Sequence, residues 1–164
     1  MVQRQRIVLA VGLPGSGKSA WFARRGITPL SSDRLREVLC DDATEQRYQK
    51  WIFQMLRSQL RMRLRLGRPV TFVDATNLTR AERQPYFRIA RQFGCEVEAV
   101  FFDVPLEVCR KRNRERARVV PEEAMLRLAG RFEAPRIEEG FRRITRVDAA
   151  GRAGRAIIGP RRKP

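Results

Sequence analysis

The stretch "RIVLAVGLPGSGKSAWF" (residues 6–22) decides the fold. A six-residue apolar run leads directly into Gly12, Gly17, Lys18 and Ser19, which fit the spacing G-x-x-x-x-G-K-[ST], and residues able to continue as a helix follow. Strand, glycine-rich turn and helix in this order make an anion cradle. Glycines let backbone N–H groups converge on phosphate oxygens with no Cβ in the way, and the helix N-terminus adds the positive end of its dipole. The loop Gly12, Pro14, Gly15, Ser16, Gly17 is therefore the expected binding site for a nucleoside triphosphate. Lys18 is expected to reach the β- and γ-phosphates, and the Ser19 hydroxyl to ligate Mg²⁺. The base-reading pattern N-K-x-D of GTPases is absent, so ATP is the expected donor.

Outward from this loop, "VTFVDA" (70–75), "EVEAVFFDV" (96–104) and the weaker "ITPLSS" (27–32) are β-rich and alternate with helical periodicity. The alternation predicts an α/β fold, a central parallel β-sheet flanked by helices on both faces. The longest helix is expected over 45–66, with Ile52, Leu56, Leu60 and Leu64 as its buried stripe and Gly67 and Pro69 as its stop. A second is expected between Thr79 and Phe93, begun either by a Thr79–Glu82 capping box or later at Pro85. Pro105 and Pro121 are expected to open two more. Residues 1–150 are expected to form one domain built on the P-loop and residues 151–164, rich in Gly, Pro and Arg without an acid, a loosely held basic tail.

Composition narrows the chemistry. Histidine is absent from the 164 residues, which excludes an imidazole base and leaves a carboxylate for that role. Cys40, Cys95 and Cys109 form no C-x-x-C pair, so neither a disulfide framework nor a zinc site is readable. No signal peptide and no apolar run of membrane-spanning length is visible, and a cytoplasmic protein without membrane contact is expected. The formal net charge of +17 favours a polyanionic partner such as nucleic acid over a merely solvated surface.

Loops at the C-terminal edge of a parallel sheet line the ligand crevice. "SSDRLREVL" brings Asp33 to that edge, with Arg36 three residues on. Two roles are open to Asp33, helix N-cap or general base, and they are compatible only if the carboxylate is shared or Ser32 does the capping. "VDATNL" brings Asp74, Thr76 and Asn77 to the same edge, where an acid after an apolar strand is either a partner of Mg²⁺ or part of a strand-end turn. From Arg110 to Arg118, six of nine residues are Lys or Arg. Like charges at i, i+4 oppose each other, so anions such as triphosphate oxygens are expected to offset the crowding. One of these arginines is expected to act on the transferring phosphoryl group.

Together, "GLPGSGKSAWF", "SSDRLR", "DATNL", "FFDVP" and "KRNRER" followed by "VVP" resemble the 5′-OH polynucleotide kinase domain of phage and bacterial end-healing enzymes, from residue 6 to about 132. The resemblance implies a P-loop phosphotransferase with a helical lid that uses ATP and Mg²⁺ to phosphorylate the 5′-hydroxyl of DNA or RNA. It implies Asp33 as general base, Arg36 as a contact to the acceptor's 3′-phosphate, Arg116 as the lid arginine at the transition state and Arg112 as a second donor contact. Thr76 and Val120 fall along the acceptor strand, and Asp74 beside the metal. The chain departs from the phage pattern at Ser32, where an arginine precedes the base, and in reading D-A-T-N for D-T-N. No phosphatase or ligase motif accompanies the kinase, so such activities are expected on other chains. Two rival readings are a small-molecule kinase acting on a sugar, nucleoside or antibiotic, and an ATP-gated nucleic-acid-binding protein without transfer.

Overall fold

The computed structural model describes residues 4–160. Strands β1 (Arg6–Val11), β2 (Leu30–Ser31), β3 (Val70–Asp74), β4 (Glu96–Phe102), β5 (Arg143–Val147) and β6 (Ile157–Ile158) form one sheet. Helices α1 (Lys18–Arg24), α2 (Ser32–Cys40), α3 (Gln49–Arg65), α4 (Arg80–Phe93), α5 (Leu106–Arg114) and α6 (Glu122–Arg131) connect them. The strand order is β2-β3-β1-β4-β5-β6, parallel throughout except for β6. Central β1 divides the core by its two-residue period. Ile7, Leu9 and Val11 join one cluster with α2, α3 and α4, while Val8 and Ala10 join another with α1, α5 and α6. Both faces are thus covered, as a parallel sheet requires.

The expected stripe Ile52, Leu56, Leu60, Leu64 is buried on α3. The helix starts at Gln49, later than expected, because the Asp42 and Glu45 carboxylates accept from the backbone N–H groups of Thr44 and Arg47, both at 2.7 Å, and turn the chain aside. In α4 the Thr79 hydroxyl accepts from Glu82 N at 3.2 Å, and Glu82 reaches back to Leu78 N at 2.9 Å, so the box is displaced by one residue. Pro85 lies inside α4 and sets no start.

The main addition lies at the C-terminal side. "RITRV" forms β5 beside β4, although its arginines hide the strand pattern. Part of the expected tail is docked on this strand: Ala153 bridges to Val147, and Ile157–Ile158 pair with Ile144 and Arg143. An edge that β5 would otherwise present unpaired is thereby covered. Residues 161–164 of that tail lie outside the described residues. No helix among the described residues is long and apolar enough to cross a membrane.

Candidate active site

The glycine loop leaves β1 and enters α1 at Lys18. Gly15 has φ +79°, and a Cβ there would run into the Cys109 carbonyl of α5; Gly17, with φ +96°, caps α1. Only glycine meets both demands. A Cβ on Gly12 would stand 2.7 Å from Ser16 Oγ, itself a buried hydroxyl without a protein partner. Half-buried Lys18 folds over the loop and donates to the carbonyl oxygens of Gly12 (2.8 Å) and Leu13 (2.9 Å). Burial pushes its pKa down, and the charge of Asp74 opposes that shift.

Asp74 ends β3 and accepts from Ser19 Oγ at 3.1 Å. Its burial raises the carboxyl pKa, against the pull of Lys18 and the Ser19 hydrogen bond. A hydroxyl and a buried carboxylate side by side are hard oxygen donors of the kind Mg²⁺ takes, so these residues fit the expected ion. Thr76 O accepts from Gly12 N at 3.2 Å, which joins the loop after β3 to the glycine loop.

Across the crevice, Ser31 caps α2: its hydroxyl accepts from Arg34 N at 3.3 Å. The cap is therefore neither Ser32 nor Asp33, and the Asp33 carboxylate is free of capping. It is 53% exposed, open enough to meet an acceptor. Arg36, one turn on and only 5% exposed, donates from Nη1 to Asp33 Oδ1 at 2.7 Å, and its Nη2 is held by Gln49 Oε1 of α3. From the opposite side Arg118 Nη1 stands 3.2 Å from Asp33 Oδ2. The charges of Asp33 and Arg116 both act on Lys18 and Asp74, so the four groups share one cleft.

The basic run divides by direction. Arg110 pairs with Glu107 at 2.7 Å and with Glu122, and Arg114 approaches Glu122 at 3.9 Å. Arg112 donates to the Ala149 carbonyl and lies close to Gly17. Arg116 and Arg118 are carried by the lid loop between α5 and α6. That loop is closed by Asn113, a buried amide that donates to Val120 O at 2.7 Å and accepts from Val120 N at 3.0 Å. Asn113 is the uncharged polar residue amid the basic run, which is the one local sign of its different work.

A further residue escaped the sequence reading altogether. Arg83 of α4 is completely buried and pairs with Glu139 through two hydrogen bonds of 2.9 and 2.7 Å. Its Nη1 donates to the carbonyls of Asn77 (2.9 Å), Leu78 (3.2 Å) and Glu133 (3.0 Å). The loop after β3 is thereby fixed to the chain that leaves α6. Asn77 sits in the left-handed region at φ +49° and holds Ala10 O at 2.8 Å.

Comparison with known proteins agrees with this architecture. The bifunctional polynucleotide phosphatase/kinase of Schizosaccharomyces pombe is 25% identical over 150 residues, 88% of this chain but 34% of that protein. Among solved structures, a chain in the Pnkp1/Rnl/Hen1 RNA repair complex superposes with TM-score 0.68 at 22% identity, over 80% of this chain and 45% of its own length. A gluconokinase from Sinorhizobium meliloti superposes with TM-score 0.57 at 23% identity, over 92% of this chain and 85% of its own. The chain thus spans about a third of the curated relative, and its likeness to the solved structures is one of fold. The family model described as an AAA domain matches residues 7–135, and with the glycine loop, the parallel sheet and the lid in place, the chain belongs to that family and has the P-loop kinase fold.

Proposed function

We propose that this protein transfers the γ-phosphoryl group of ATP to the 5′-hydroxyl of a nucleic-acid strand. The observation that carries the reading is the Asp33–Arg36 pair, a reachable carboxylate beside a buried guanidinium at the mouth of the phosphate cleft. A carboxylate suits a hydroxyl proton, and a guanidinium suits a phosphate on the same acceptor. In the step proposed, Asp33 takes the proton as the hydroxyl oxygen attacks the γ-phosphorus in line. The bond to the β–γ bridging oxygen breaks, and ADP leaves without a covalent enzyme intermediate. Lys18 exchanges the carbonyls of Gly12 and Leu13 for phosphate oxygens, and Arg116, with Arg112 behind it, neutralises developing charge. Mg²⁺ held by Ser19 and beside Asp74 supplies charge neutralisation at those oxygens when bound. Thr76 and Val120 border the acceptor strand. A cytoplasmic setting, where ATP is available, fits this reading.

The name of the fission-yeast relative supports this acceptor, and so does the charge of +17, which a small neutral substrate would not need. Labelled γ-phosphate offered from ATP to 5′-OH DNA and RNA oligonucleotides, mononucleotides, gluconate and other sugars tests it. Label is expected on polynucleotide ends. Label on sugars alone overturns the reading in favour of a small-molecule kinase, and no label anywhere favours an ATP-gated binding protein.

A further inference from the structure

Asp33 does not need Arg118 to be held in place. Arg36 fixes Oδ1 from the same helix, and Gln49 fixes Arg36. Arg118 arrives from the far side of the cleft and stands on Oδ2, the oxygen that Arg36 leaves for an incoming hydroxyl. The contact also brings two cations together, since Arg118 opposes the charge on Arg36. Its position comes from the lid loop, whose two ends are tied by Asn113 and Val120, so the side chain is free to swing without any loss of the loop's closure. Arg118 is 27% exposed and within reach of solvent anions.

We propose that Arg118 guards the base: it occupies Oδ2 of Asp33, a carboxylate otherwise open to solvent, until an acceptor bearing its own phosphate draws the guanidinium away. The proposal rests on Asp33 being the base of the reaction above. With Oδ2 unoccupied, Asp33 can take a proton from water as readily as from an alcohol. The water oxygen then bonds to the γ-phosphorus, the bond to the β–γ bridging oxygen breaks, and ATP becomes ADP and inorganic phosphate with the proton released through Asp33. A kinase must suppress this step. Phosphate offers a guanidinium a bidentate partner at least as good as a single carboxylate oxygen, so a phosphate-bearing strand can open the contact. A neutral alcohol has nothing to offer Arg118 and finds Oδ2 occupied. Arg118 thereby acts as a positioning residue that sets selectivity between polynucleotide, neutral alcohol and water.

The test compares the wild type, Arg118→Gln, Arg118→Ala, Arg118→Lys and the double variant Asp33→Asn/Arg118→Gln. Each is measured for ATP hydrolysis without acceptor and for transfer to a 5′-OH oligonucleotide and to unphosphorylated uridine. Loss of the charge-assisted contact in Gln and Ala is expected to raise acceptor-free hydrolysis about fivefold or more and to lower the oligonucleotide-to-uridine preference about tenfold. Lys is expected to keep hydrolysis at the wild-type level, and the double variant to return it there. Hydrolysis unchanged or reduced in both Gln and Ala overturns the guard, as does an increase that survives Asp33→Asn. The hydrolysis arm is independent of the acceptor: a wild type that labels no polynucleotide refutes the proposed acceptor, while water still reports on Arg118.

Discussion

Asp74 is a charge kept where the fold would prefer none. Its burial holds the folded-state pKa above the ordinary 3.8, so the stability tied to the protonated form is present at low pH and is lost as pH rises through that higher value. Asn cannot ionise. Asp74→Asn is therefore expected to gain thermal midpoint relative to the wild type between pH 4 and 7, measured with chelator present, while needing more added Mg²⁺ for transfer. A midpoint difference that is flat with pH would argue against a buried carboxylate as the cause. At the same scale, Lys18→Ala is expected to weaken ATP binding and Asp33→Asn to abolish transfer with ATP binding near normal, as isothermal titration beside the label assay would read. Lys18, Ser19 and the pair Asp33 and Arg36 were legible in the sequence because a short local pattern fixes each at a strand end. Gln49 and Arg118 were not, because their partners lie 13 and 85 residues away from them in the chain (49 − 36 and 118 − 33) and no periodicity marks either.

Between elements, the glycine loop approaches α5 closely. Gly15 takes φ +79° directly against the Cys109 carbonyl, so loop and α5 meet backbone to backbone. Gly15→Ala is expected to cost about 1–3 kcal/mol from conformation alone, with more from the clash. Its thermal midpoint should fall, and ATP affinity should fall with it. Arg83 is the second junction. Removing it leaves Glu139, 5% exposed, as an uncompensated charge, and Arg83→Met is expected to destabilise by about 3–5 kcal/mol in urea unfolding. Strands β1, β3 and β4 could be read directly because each carries β-branched and aromatic residues that are buried over most of its length. Strand β5 could not, since Arg143 and Arg146 point outward from a strand next to the sheet edge, and β6 is too short to carry a pattern.

Over the whole molecule the basic excess is uneven. The 17 residues of α3 contain no acid, and Arg57, Arg61 and Arg65 form no ion pair among the described residues, in a row that flanks the helix's buried stripe. A row of unneutralised guanidiniums suits a phosphate backbone, and single-stranded binding weakens with salt at a logarithmic slope of about −0.7 per phosphate neutralised. KM for a long 5′-OH oligonucleotide is expected to rise steeply with salt and KM for a 3′-mononucleotide only modestly. Changing the three arginines to Gln should flatten the first alone; equal slopes in the wild type would mean that only the terminal nucleotide is gripped. The Arg83 junction also settles where a self-sufficient unit can be cut. The family match ends at residue 135, yet the counter-ion of a wholly buried guanidinium is Glu139. A chain truncated at Pro135 would keep every residue assigned to the chemistry and strand a positive charge in its interior, so a viable unit extends at least as far as that carboxylate.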